Sequence, residues 1–163
     1  MRKLLAVAFA VLLLAGCGSS PDRRAPRSDR LPTVSLASLT GGPAVDLGTL
    51  RGPTVVNLWA QWCAPCKREL PIYQQFWAKH GTAVPVLGID WQDVQPGAAR
   101  ALARKSGVDY PLVVDSRPEI KAQALPRLVL VDRTGRIAFQ EYVEIKSLSQ
   151  LEKLVEKHLG VTL

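Results

Sequence analysis

This 163-residue chain predicts an α/β domain built on a mixed central sheet flanked by helices. Three observations carry the prediction. Two apolar runs, residues 54–59 and 84–90, lack polar alternation, as strands buried on both faces do. A helix-like stretch over residues 63–80 lies between them, giving the strand, crossover helix, strand order of a parallel pair. Near the end, apolar runs at 128–132 and 137–142 flank Arg133-Thr134-Gly135, a hairpin signal that adds an antiparallel portion.

The elements follow in order. Residues 33–36 and 44–47 read as short strands around the Thr40-Gly41-Gly42-Pro43 turn, an N-terminal hairpin ahead of the main sheet. Pro65 sits in the first turn of the 63–80 helix, where its missing N–H costs little. Pro71 falls inside that helix and predicts a kink. Residues 97–105 are alanine-rich and helical, closed by Gly107. A short strand at 112–114 and a short helix at 118–123 come next, which puts helices on both faces of the sheet. The final helix, over 147–159, carries Leu148, Leu151, Val155 and Leu159 on one stripe.

The N-terminus predicts a compartment. Met1-Arg2-Lys3 is a basic start, and residues 4–15 are an apolar run of signal-peptide rather than membrane-spanning length. The run ends in Leu14-Ala15-Gly16-Cys17, which resembles the bacterial lipobox. That resemblance implies cleavage after residue 16 and a lipidated Cys17 at the mature N-terminus. Residues 17–31 then read as a polar, arginine-containing tether, and residues 32–163 as one domain. The formal charge of +7 is spread along the chain, with no basic helix or aromatic-rich stripe, and gives no case for nucleic acid.

With Cys17 set aside, the three cysteines reduce to one pair, Cys63 and Cys66, inside Trp62-Cys63-Ala64-Pro65-Cys66-Lys67. A thiol at the first turn of a helix feels the positive end of the helix dipole and nearby N–H groups, which favour the thiolate. The thiolate is the form that attacks a disulfide. Cys63 is therefore the candidate nucleophile, with the Lys67 charge four residues on as further support. Cys66, almost one turn later, is the candidate resolving thiol. The loop between them is too small to be a useful structural staple. A zinc site needs four ligands, and the two histidines, His80 and His158, lie far apart in sequence. No metal or organic cofactor is required.

The element order with a WCxxCK motif after the first core strand resembles the thioredoxin fold. Trp59-Ala60-Gln61-Trp62-Cys63, the kinking Pro71, and Leu125-Pro126 before the 128–132 strand match that superfamily. Cys63-Ala64-Pro65-Cys66-Lys67-Arg68-Glu69-Leu70-Pro71 and Val56-Asn57-Leu58-Trp59 are closest to its tethered TlpA/ResA-like group. The resemblance implies a cell-envelope thiol–disulfide oxidoreductase acting on client proteins, with a membrane electron-transfer partner. It implies a cis peptide before Pro126, with Leu125 offering backbone to a client and Trp62 on the docking surface. Glu69 matches an acidic residue near the active site in ResA-like proteins; as an isolated helical glutamate it reads equally as a surface residue. Asn57 replaces the buried aspartate of cytosolic thioredoxins. Arg127 replaces their threonine, which implies a preference for acidic clients. Trp59, Trp77 and Trp91 read as packing residues, Trp59 equally as part of the site.

The direction of electron flow stays open between reductant, slightly favoured and with cytochrome c maturation as a possible setting, and disulfide-forming oxidase. Peroxiredoxins share the fold, but their peroxidatic cysteine follows a threonine by three residues, and here that position is Ala60. A non-enzymatic tethered binding module is the remaining class.

Overall fold

The computed structural model describes residues 29–163. The signal-peptide pattern, Cys17 and most of the tether lie outside the described residues. Seven strands form one sheet in the order β2-β1-β5-β4-β3-β6-β7. In the chain these are β1 (Ser35–Ser38), β2 (Val45–Asp46), β3 (Thr54–Trp59), β4 (Val86–Trp91), β5 (Leu112–Asp115), β6 (Arg127–Val131) and β7 (Ile137–Glu141). The helices are α1 (Ala64–His80), α2 (Pro96–Lys105) and α3 (Leu148–Leu159), with a 3-10 turn at Leu47–Thr49.

The two runs without alternation are the two central strands. Every residue of β3 and β4 is buried. They pair in parallel from Val55–Val86 to Trp59–Asp90, and β4 pairs in parallel with β5. On the other side β3 runs antiparallel to β6, from Thr54–Val131 to Leu58–Arg127. The C-terminal end of β3 therefore meets the N-terminal start of β6, and these two ends frame the site. The predicted N-terminal hairpin pairs Leu36 with Val45, and β1 continues antiparallel onto β5.

The faces are less symmetric than the sequence suggests. Buried residues of α1, α2 and α3 (Leu70 and Phe76; Ala99 and Ala103; Leu151 and Val155) share one core with Val55, Val86 and Leu128. The crossovers β3-α1-β4 and β4-α2-β5 step in the same direction across the sheet, so right-handed connections place both helices on one side. The second face is covered by Leu31, Leu47 of the 3-10 turn, Trp91 and Ile120.

The predicted helix at 118–123 does not form; residues 117–124 are bends and irregular chain. Side chains from before and after the stretch take its backbone groups instead. Asp115 accepts the N–H groups of Glu119 and Ile120 at 2.9 and 3.0 Å. Arg127 donates to the Lys121 carbonyl, the Trp91 indole to that of Ile120, and the Tyr142 hydroxyl accepts the Gln123 N–H. A backbone satisfied in this way has no need of helical bonds. Pro71 does lie inside α1, which runs through it from Ala64 to His80. Gly107, at φ +68°, ends the α2 region as predicted.

Candidate redox site

The site begins with a tight turn. Backbone bonds from Cys63 N–H to the Ala60 carbonyl (3.1 Å) and from Lys67 N–H to the Cys63 carbonyl (3.2 Å) turn the chain from β3 into α1. Cys63 is the N-cap of α1, extended at φ −82° and ψ 105°, and its Sγ accepts the Cys66 N–H at 3.3 Å. The sulfur thus occupies the place of a capping oxygen, where the unpaired N–H groups of the first turn favour negative charge. Cys63 and Cys66 are joined by a disulfide. Cys63 is the more exposed of the two, at 5 % against 0 %.

Around the pair, the sequence-singled residues separate into three groups. Trp62 is 52 % exposed and Lys67 is also on the surface. Trp59 and Asn57 are fully buried beneath. Gly88 makes room for this layer: a Cβ there would sit 3.0 Å from the Tyr110 ring and 3.2 Å from the Trp59 indole nitrogen. The Leu125–Pro126 peptide is cis, and Pro126 immediately precedes Arg127, the partner of Leu58 across the β3–β6 ladder. That places Pro126 beside the end of β3, where the chain leaves for Cys63. Leu125 packs against both cores.

Arg127 is the third case. It alternates with Leu128, which lies in the core with the cysteines, so its side chain goes to the second face. It does not join Cys63. His80 and His158 are likewise apart from the site. His80 Nε2 lies 2.8 Å from Glu152 Oε1 at the α1–α3 contact, and His158 stacks on Phe139 at 4.1 Å between centroids. Among the described residues no three His, Cys, Asp or Glu side chains form a metal-ligating group. Trp77 and Trp91 pack against the two cores.

Glu69 is not a surface residue. It follows Cys66 by three positions on the buried face of α1 and is 0 % exposed. Its Oε2 accepts the Ile145 N–H at 2.9 Å, while Oε1 has no partner. Burial raises its pKa to about 8; the Ile145 N–H and the Arg68 charge pull the other way. Tyr73 and Tyr110 feel the same carboxyl, and Tyr110 also meets the Asn57 amide. Next to it, Arg68 holds Glu144 through bonds of 2.7 and 3.0 Å. Consecutive α1 residues thus fasten the segment linking β7 to α3, one at the surface and one in the core.

Sequence reasoning missed a pair of carboxyls. Asp93 Oδ2 accepts the Gln61 N–H (3.2 Å) and Oδ1 accepts the Gln95 N–H (2.8 Å), anchoring the turn that leads to Cys63. Asp90, the β4 partner of Trp59, is fully buried and adjoins Asp93. Neither of its carboxyl oxygens has a hydrogen-bond partner among the described residues, and its pKa rises to about 8, from burial first and then from the Asp93 charge. The available signal was an acidic residue ending a run otherwise free of charge.

A raised carboxyl pKa means the native state holds a proton that the unfolded chain gives up. Stability is then lost as pH rises from about 4 to about 8. Asp90→Asn is neutral and of the same size, and removes that loss. Its thermal midpoint is expected to exceed the wild type's by about 5 °C at pH 8 and to match it near pH 4. Equal midpoints at both pH values in a thermal melt contradict a protonated Asp90.

Comparison with known proteins agrees with this geometry. The pattern of the Redoxin family matches residues 26–155. The chain is 32% identical to the "Thiol:disulfide interchange protein DsbE homolog" of Paracoccus denitrificans, over 65% of this chain and 60% of that protein. It is 27% identical to the "Thiol-disulfide oxidoreductase ResA" of Bacillus thuringiensis subsp. konkukian, over 96% and 98%. Among solved structures, a thioredoxin-family thiol:disulfide interchange protein from Chlorobium tepidum superposes with TM-score 0.68 at 23% identity, covering 82% of this chain and 98% of that one. A secreted thiol-disulfide isomerase from Corynebacterium glutamicum gives 0.64 at 25%, covering 80% and 86%. With the N-capping cysteine pair on a thioredoxin-type sheet, these likenesses make the chain a member of the Redoxin family, a TlpA/ResA-like thiol–disulfide oxidoreductase.

Proposed function

We infer that this oxidoreductase works in the bacterial cell envelope, held to a membrane by lipid on Cys17, and reduces disulfides of client proteins. The observation that carries the chemistry is Cys63 as the N-cap of α1, bonded to a fully buried Cys66. In the reduced protein the Cys63 thiolate attacks a client disulfide. One client sulfur leaves as a thiolate and a mixed disulfide forms. Cys66 then loses its proton and attacks Cys63 Sγ. The Cys63–Cys66 bond closes and the second client sulfur leaves, so two electrons have passed to the client. A dithiol partner at the membrane restores the reduced pair.

Around that exchange, Trp62 supplies an exposed aromatic surface for docking. The Leu125 backbone next to cis-Pro126 offers a short edge on which a client segment can pair. Lys67, exposed on the first turns of α1, adds a solvent-screened positive charge. Glu69 serves as the proton acceptor for Cys66, from three residues away on the same helical face. The envelope location and lipid anchor are supported by the Leu14-Ala15-Gly16-Cys17 pattern behind an apolar run. The reducing direction and cytochrome c apoproteins as a client class are supported by the TlpA/ResA-like resemblance.

Equilibration of the Cys63–Cys66 couple with glutathione tests the direction. A potential near that of thioredoxin, about −270 mV, is the expected result. A value near that of DsbA, about −120 mV, reverses the assignment to an oxidase.

A further inference from the structure

The second face carries a groove of about 750 Å³ alongside β7, lined on one side by Lys121, Ala122 and Gln123, shortly before the cis-proline. Its floor is apolar, from Leu31, Ile120 and Ile137. One charge sits deep within it. Arg127 is only 9 % exposed, yet among the described residues it makes no ion pair. Its Nη1 donates to the Lys121 carbonyl at 2.9 Å and its Nη2 to Gln140 Oε1. The guanidinium lies 5.7 Å over the Tyr142 ring. These contacts hold the group in place without neutralising it.

A guanidinium stays charged when buried, and a buried charge without a counter-ion is costly. Its planar fork matches a carboxylate, and here two bonds and a ring fix its orientation in advance of any ligand. We propose that the groove receives an aspartate or glutamate side chain of the client polypeptide, which pairs with Arg127 while the client chain crosses Leu125–Pro126. The proposal rests on the oxidoreductase reading, since it gives the client of that reaction a second point of contact. Glu119 and Glu141 also line the groove. Arg30 and Lys121 line it too. The two acids offset two of the three cations, so a single carboxylate fits the groove better than a polyanion such as phosphate. The apolar floor suits the methylene stem of that side chain.

The test uses the oxidised protein and an end-blocked, cysteine-free hexapeptide containing a Glu-Leu-Glu segment, followed by NMR. The expected result is saturable shifts at Arg127, Gln140 and Tyr142, with the glutamine counterpart binding at least about fivefold more weakly. Arg127→Gln is expected to weaken the glutamate peptide about tenfold, which corresponds to ~1.4 kcal/mol. Lys121→Gln, at the exposed rim, is expected to weaken it two- to threefold. If Arg127→Gln does not fold, Lys121→Gln and the glutamate–glutamine contrast decide the question. Equal binding of the two peptides, shifts confined to other surfaces, or inorganic phosphate binding as tightly as the peptide each overturn the proposal. The peptide contains no sulfur, so these outcomes are independent of thiol exchange. Failure of the oxidoreductase reading appears instead as a Cys63–Cys66 pair that does not cycle with glutathione.

Discussion

Cys66→Ser is expected to turn the protein into a covalent trap, with clients held on Cys63 through bonds that dithiothreitol releases. The serine keeps the size of the side chain in its fully buried site but cannot attack the mixed disulfide. Cys63 remains the N-cap, so the first attack survives. Cys63→Ser is expected to abolish both the adducts and turnover, with a loss of at least about a thousandfold, because a hydroxyl at this position is not ionised. Either variant loses the small-loop disulfide, at a cost on the order of 2 kcal/mol that a domain of this size tolerates. Non-reducing gels and intact-mass spectrometry read the result. Reducible adducts with Cys63→Ser, or none with Cys66→Ser, contradict the assignment of roles.

Much of this site was legible in the sequence because its determinants are local. The Cys63–Cys66 spacing sets a turn of helix, Pro65 starts it, and the apolar run before it is a strand buried on both faces. Pro126 was legible through the family resemblance, which implies a cis proline before this strand; Gly52–Pro53, also cis, carried no such signal. What could not be read depends on chain segments brought together by the fold. Glu69 looks like any helical glutamate until Ile145, 76 residues later, covers it and donates to it. The 118–123 stretch has the composition of a short helix, but Asp115, Arg127 and Tyr142 take its backbone groups. Arg127 reads in the sequence as a client-binding residue following Pro126. Strand alternation sends it to the opposite face, where the β7 residue Gln140 and Tyr142 hold it. In each case the local pattern was sound, and side-chain contacts that it does not specify decided the outcome.

Glu69→Gln is expected to make the protein slower and more stable at the same time. The amide can still accept the Ile145 N–H, so the β7–α3 link keeps its core fastening. What it loses is a titratable proton. With a pKa of about 8, Glu69 is largely neutral at pH 7 and becomes a competent base as pH rises toward 8. Client release in the wild type should therefore speed up about tenfold per pH unit below 8 and level off above it. In Glu69→Gln that inflection should vanish, and release at pH 8 should fall about a hundredfold, at the lower end of general-base effects. Stability moves the other way. The native carboxyl binds its proton more tightly than the unfolded chain does, so the wild type loses stability from about pH 4.5 to about pH 8. Glu69→Gln escapes that loss and should gain on the order of 2 kcal/mol at pH 8 and almost nothing at pH 4. Stopped-flow kinetics of mixed-disulfide resolution and denaturant unfolding at the two pH values measure the two arms. A purely structural glutamate would give a variant that is less stable, with an unshifted pH–rate profile. The opposite pairing of a gain in stability with a loss of rate identifies a group buried at a cost for the sake of moving a proton to and from Cys66.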